Sequence, residues 1–207
     1  MKEMKVRITF TEPVLGTKPS DPEIHSTYVA SKAPDAKSIA EEVAAHGVEA
    51  VEEKGKTIFD KMEDGTPYLW DYQLKGFMKE AARTLKKVTG TKTSKATAYI
   101  KTVDNFVFVF GPYRDRERVL PLYMPMDLDL LATDCQRPLR AQTMQGERVA
   151  LAHSEEAPAG TYFECTIECL RDADMALVRE WLDYGRYKGM GQWRNAGWGR
   201  MTWEEVA

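Results

Sequence analysis

Asp64-Gly65-Thr66-Pro67-Tyr68-Leu69-Trp70-Asp71-Tyr72-Gln73-Leu74-Lys75-Gly76-Phe77-Met78-Lys79-Glu80-Ala81-Ala82-Arg83 is the stretch from which most of the fold can be argued. Asp64-Gly65 has turn chemistry, and Pro67-Tyr68-Leu69 reads as extended chain. From Leu74 onward the apolar residues Leu74, Phe77, Met78, Ala81, Ala82, Leu85 and Val88 recur at the spacing of a single buried helical stripe, which predicts a helix over residues 74–88. Lys75, Lys79, Arg83, Lys86 and Lys87 fall off that stripe, and Gly90 is placed to end the helix.

Working outward, residues 5–11 (Lys-Val-Arg-Ile-Thr-Phe-Thr) alternate apolar and polar at period two and predict a half-buried strand. Pro19 and Pro22 exclude regular structure just after it. Residues 35–53 suit a surface helix with a thin apolar face of Ile39, Val43 and Val48. On the other side, strands are predicted around 97–101 and at the apolar run 106–110, the latter buried on both faces. Residues 139–144 and 148–152 suggest a hairpin about Gln145-Gly146, and 162–169 a strand whose polar face carries Glu164, Thr166 and Glu168. A helix over 172–184 opens with Asp172 and Asp174, where negative charge suits the helix dipole. A final strand is expected near 198–204. The expected class is α+β, built as one domain over residues 1–207 with insertions at 35–65 and 90–138.

With 207 residues, 43% of them hydrophobic, the chain can bury a sizeable core without metals or disulfides. Cys135, Cys165 and Cys169 form no CxxC pair and read as buried thiols in a reducing compartment. There is no signal-like core and no stretch suited to a membrane span, so a cytoplasmic location is expected, with no membrane partner. The formal net charge is −3. Contact with a polyanion must therefore come from local patches: seven bases against the single acid Glu80 between Lys79 and Lys101, and four bases with no acid between Arg186 and Arg200. Acids gather instead at Glu41, Glu42, Glu49, Glu52, Glu53, Glu63 and Asp64.

The C-terminal run Gly185-Arg186-Tyr187-Lys188-Gly189-Met190-Gly191-Gln192-Trp193-Arg194-Asn195-Ala196-Gly197-Trp198-Gly199-Arg200 mixes glycines, cations and aromatics. Glycines let a backbone approach closely, Arg186, Lys188, Arg194 and Arg200 can neutralise phosphates, and Trp193, Trp198 and Tyr187 can stack on bases. The bland account is a glycine turn between the last helix and the last strand, with the tryptophans in the core. The 64–83 stretch likewise has a bland account as a turn plus an amphipathic helix. No P-loop or dinucleotide fingerprint occurs. His25, His46 and His153 lack metal-ligand spacing, and no nucleophile–base pattern stands out, so no cofactor or metal is implied. Asp127 and Asp129 share a face and read as solvated.

Taken together and in this order, the two glycine-bearing segments resemble the RAMP superfamily, the ferredoxin-like proteins that build the RNA-binding backbone of CRISPR effector complexes. Pro67, Leu74-Lys75-Gly76 and Arg83 match the family's first motif, and Gly189, Gly191, Arg194, Gly197, Gly199 and Arg200 its glycine-rich loop. The family's small Gly-Ser-Ser approach is replaced by bulky Trp70-Asp71-Tyr72-Gln73. The resemblance implies a ferredoxin-like (RRM-like) βαββαβ core with an antiparallel sheet, its helices 74–88 and 172–184 on one face, and the strand pair near 139–152 and 161–169 in its middle. It also implies a non-catalytic protein binding single-stranded RNA or DNA through Lys75, Lys79, Arg83, Lys86, Lys87, Arg186, Lys188, Gly189, Gly191, Trp193, Arg194, Gly197, Gly199 and Arg200. The chain is similar, too, to small phage- and prophage-encoded proteins. That implies an alternative employment, an anti-CRISPR acting on a host defence complex or other protein subunits through the acidic 41–64 region or residues 123–126. A third expectation is a metal-independent ribonuclease drawing on Tyr68, Tyr72 and Lys75.

Overall fold

The computed structural model of the chain describes residues 2–20, 56–125, 134–143 and 146–206. Two compact units emerge: Met1–Val14, Asp60–Leu128 and Ala157–Ala207 form the first, Leu15–Phe59 and Asp129–Glu156 the second.

The first unit is organised by β1 (Lys2–Phe10), whose alternation buries Met4, Val6, Ile8 and Phe10. Its antiparallel neighbour is β11 (Tyr162–Cys169), in the register Met4↔Ile167, Val6↔Cys165 and Ile8↔Phe163, so the buried sets of the two strands share a face. Strand β12 (Met201–Glu205) pairs with the other edge of β1, and β7 (Val107–Phe110) with the other edge of β11, both antiparallel. The spatial order is therefore β12-β1-β11-β7. Two long helices cover the buried face and pack on each other: α1 (Asp71–Leu85), presenting Leu74, Phe77, Met78, Ala81 and Ala82, and α4 (Met175–Asp183), presenting Met175, Val178, Trp181 and Leu182. Full burial of each large apolar side chain stabilises the fold by about 1.5–3 kcal/mol. Along the chain these six elements run strand, helix, strand, strand, helix, strand.

The second strand of that core is Val107–Phe110, not the expected segment near 139–152. Nor is it buried on both faces: Val107 and Val109 are buried while Phe108 and Phe110 are half-exposed, because the helices cover one face of the sheet only. Residues 97–101 are not a strand. The short helix α2 (Lys92–Lys95) precedes Ala98, which takes a left-handed φ of 52°, and α3 (Tyr99–Phe106) starts directly after it. Buried Thr102 and Val103 sit at helical spacing between Tyr99 and Phe106, and this periodicity overrides the strand preference of β-branched residues. The α2 turn is tied to α4 through Glu180, whose carboxylate accepts the Lys92 and Thr93 amides at 2.7 and 2.8 Å. Trp181 Nε1–H donates to the Thr93 hydroxyl at 2.9 Å, satisfying the one polar atom of a fully buried indole.

A smaller sheet completes this unit, in the order β5 (Asp60–Lys61), β6 (Pro67–Trp70), β8 (Val119–Pro121). The Asp64-Gly65 turn closes β5 onto β6, with Gly65 at φ 86°. In the second unit, β9 (Asp134–Thr143) and β10 (Gly146–Ala157) pair antiparallel from Asp134↔Glu155 to Thr143↔Gly146, as the hairpin reading expects. β10 continues the sheet to β4 (Thr57–Ile58), which pairs with β3 (Lys18–Pro19), while β2 (Val14–Leu15) lies on its far side; Pro19, expected to exclude regular structure, thus ends a two-residue edge strand, where a missing N–H is tolerated. Buried Ser154 here meets Arg137 Nη1 and the Thr57 hydroxyl at 2.8 and 2.7 Å. The expected helix at 35–53, with most of the acidic cluster, His25, His46, Met126 and Asp127–Asp129 lie outside the described residues. Cys135, Cys165 and Cys169 are buried and form no disulfide. No helix among the described residues is long and apolar enough to cross a membrane.

Candidate nucleic-acid interface

Helix α1 starts where the sequence places polar groups for it. Gln73 Oε1 accepts the Trp70 backbone N–H at 2.7 Å, and Asp71 stands in the first turn, 3.2 Å from Arg118 Nη2. The helix ends three residues before the expected Val88, with Lys86 at its C-cap. Its cations then divide. Lys79 pairs with Asp104 at 2.5 Å, and Lys75 donates to the Asp104 carbonyl at 3.3 Å while lying 5.1 Å from the Phe108 ring. Burial depresses the pKa of the Lys75 ammonium, against the opposing charge of Asp104. Lys86 donates to the carbonyls of Ser94 and Ala96 at 2.8 and 3.0 Å, closing the end of α2. Arg83 and Lys87 are exposed.

The glycine-rich run is a closed loop. Met190 N–H donates to the Gly199 carbonyl at 2.9 Å, and Gly199 N–H to the Pro13 carbonyl at 2.8 Å. A Cβ on Gly189 would overlap the Gly199 carbonyl, and one on Gly199, at φ 70°, would overlap that of Met190. Closure of the loop therefore accounts for these two glycines. Gly191 and Gly197 take left-handed φ values of 79° and 96° at the turns. Trp193 is also left-handed, at φ 55°, a costly choice for an aromatic residue. This backbone stacks its indole on Trp198, centroids 5.5 Å apart and planes at 24°, and leaves it 38% exposed. Arg186, Tyr187 and Arg200 are exposed as well, with Arg186 over the Tyr187 ring.

What joins helix and loop is Glu80. Its carboxylate binds Lys188 Nζ at 2.6 Å through one oxygen and Arg194 Nη1 through the other. Partial burial pushes the Glu80 carboxyl up, but hydrogen bonds and charge from Lys188 and Arg194 outweigh this and hold it below the ordinary carboxylate value. Arg83, one turn along from Glu80, extends the same side of the helix. The structure thus brings Arg83, Lys188, Arg194 and the Trp193 loop to one surface, while Lys75 and Lys79 are engaged by Asp104 and Lys86 by α2. Sequence reasoning passes over Glu80 as a functional residue. Its signal is that it is the lone acid in the basic stretch from Lys79 to Lys101.

The face of the main sheet turned away from the helices offers a poor alternative. Arg7 is held by Glu164 at 2.7 Å and Glu204 at 3.6 Å, and Glu168 adds a further acid along β11. Paired charges of this kind leave little net attraction for phosphate.

No protein-family model and no curated protein sequence matches the chain. Among the solved structures similar to it are two that match over its whole length. One is a chain in a cryo-EM structure of type III-B Cmr-beta bound to cognate target RNA, at a TM-score of 0.50 and 11% identity, with 60% of that chain covered. The other is a chain of a type IV-B CRISPR complex, at 0.49 and 11%, with 91% covered. The protein thus spans about 60% of the length of the first. At such identity the likeness is one of fold: the protein has an α+β architecture similar to that of a subunit of a type III-B Cmr complex.

Proposed function

We propose that this protein has a ferredoxin-like, RAMP-type core and binds single-stranded RNA or DNA without catalysis, on the surface where α1 meets the glycine-rich loop. The observation that carries this reading is the Glu80 bridge, which gathers Lys188 and Arg194 beside Arg83 and so sets three cations around one carboxylate, where the sheet face sets two carboxylates around Arg7. Arg83, Lys87, Arg186 and Arg200 supply exposed cations, and the stacked Trp193–Trp198 pair supplies a flat ring for a base. The antiparallel order β12-β1-β11-β7, with both helices on one face, supports the ferredoxin-like assignment. Similarity in fold to a chain of a complex bound to target RNA supports the choice of ligand.

Binding isotherms for single-stranded RNA over a series of salt concentrations test the assignment of the surface. Each lost phosphate contact lowers the log–log salt slope by about 0.7 for a single strand. Arg83→Ala combined with Arg200→Ala is expected to flatten it by about 1.4. Trp193→Ala is expected to cost ~1–3 kcal/mol at every salt with the slope unchanged. An unaltered slope in the double variant would move the interface elsewhere.

A further inference from the structure

We infer that the aromatic stack at the entrance to α1, Trp70 and Tyr72 with Arg118 beside them, is a seat for one unpaired base of a single-stranded nucleic acid. This rests on the reading that the protein binds such a strand, and adds to it a second contact point outside the glycine-rich loop.

The alternation of β6 buries Pro67 and Leu69 and turns Tyr68 and Trp70 the other way. The two rings meet edge to face, 5.1 Å apart at 82°, and Tyr72 then stacks on Trp70 at 6.2 Å and 14°. The indole is fixed before any ligand arrives: its Nε1–H donates to Asp60 Oδ2 at 2.8 Å, and its backbone N–H to Gln73 at 2.7 Å. Tyr72, at the outer end, is 54% exposed. The Arg118 guanidinium lies 6.0 Å from the Trp70 ring and is oriented by Asp71. Beside the stack is a depression of about 530 Å3 with Tyr68, Trp70, Arg116 and Arg118 in its wall.

The charges lining this depression cancel, Lys61, Arg116 and Arg118 facing Glu63, Asp115 and Glu117, and Asp60 and Asp71 add two carboxylates beside Trp70 and Arg118. Such a site has little pull on a phosphate, but it suits a flat, neutral group with polar edges, which a nucleobase is. Rings already held in place cost little side-chain entropy on binding. The position on the helix agrees. Tyr72 and Arg83 are eleven residues apart, three full turns to within about 20°, so they share one stripe of α1 about 16 Å long. Between them stand Gly76, exposed and with no atom within 4 Å of where a Cβ would be, and Lys79, whose ammonium is paired with Asp104. A strand seated on Tyr72 is thus led to Arg83 and the loop.

The test compares wild type, Tyr72→Phe and Tyr72→Ala, with short single-stranded oligouridine as the probe and a melting curve for each protein. Because Tyr72 is largely exposed, both variants are expected to fold. Tyr72→Ala is expected to weaken binding about 5- to 150-fold at every salt with an unchanged salt slope, and Tyr72→Phe to retain wild-type affinity. Photocrosslinking of 5-iodouridine in the probe is expected to label residues 70–72. Wild-type affinity in Tyr72→Ala, with no label at 70–72, overturns the seat and leaves the loop interface standing. Oligouridine that fails to bind folded wild type removes both. Loss of an aromatic peptide's binding in Tyr72→Ala, with oligouridine binding untouched, assigns the stack to a protein and also overturns the inference.

Discussion

Glu80→Gln separates the two tasks that the bridge performs. The carboxylate holds Lys188 and Arg194 with side-chain exposures of 26, 30 and 37% for the three groups. These pairs lie between fully exposed ones, each contributing about 0–1 kcal/mol, and buried ones, whose disruption costs about 3–5 kcal/mol. A near-isosteric amide keeps one acceptor, so we expect a loss of about 1–2 kcal/mol for the two contacts together. For a chain of this size that is a drop in Tm of about 2–8 °C. The pH dependence has a defined sign. Since the folded pKa lies below the ordinary 4.5, the bridge's contribution is complete above that value and fades as pH falls through the folded pKa. The Tm gap between wild type and variant should therefore close in acid. Binding should move the opposite way: neutralising Glu80 frees two cations facing the strand, tightening RNA binding at low salt and steepening the salt slope by up to about 1.4. Thermal melts from neutral pH down into acid, beside salt-series isotherms, measure both. A variant as stable as wild type, or one whose RNA affinity falls, would refute the reasoning.

Glu180→Gln removes the anion that accepts the Lys92 and Thr93 amides and should cost about 1–2 kcal/mol by thermal denaturation at neutral pH, with the difference again vanishing in acid. Gly199→Ala places a Cβ against the Met190 carbonyl at a left-handed φ, so the loop cannot close; a loss of about 2 kcal/mol or more and a changed near-ultraviolet signal from Trp193 and Trp198 are expected. Burial pushes the Cys165 thiol well up and the Cys169 thiol up to about 11, so neither should react with a thiol-specific disulfide reagent at pH 8 until the protein is unfolded.

Much of this fold is written in periodicity. β1, β11, α1 and α4 each bury one clean face, and a regular buried face imprints its period on the sequence. Where elements are short, the imprint fails. β7 has only four residues, so the longer apolar alternation of 139–152 reads as the better core strand although it pairs within the second unit. The start of helix α3 is misread because Thr97, Tyr99 and Ile100 carry strand propensity, while the decisive feature, the left-handed Ala98, is a backbone property that no side chain advertises. The candidate site shows the same division. Both of its motifs are visible as composition, but their meeting depends on a pair of contacts between Glu80 and residues more than a hundred positions away. The glycines of the loop look like ligand-binding features in sequence, yet Gly189 and Gly199 are accounted for by backbone crossing.

The most direct test of the account is an equilibrium titration of labelled single-stranded RNA, and of single-stranded DNA, with folded wild-type protein at low salt. The account predicts saturable binding to at least one of them, with log affinity falling linearly as log salt rises. Folded protein that binds neither strand would contradict it, and would leave the basic helix and its glycine-rich loop to a protein partner.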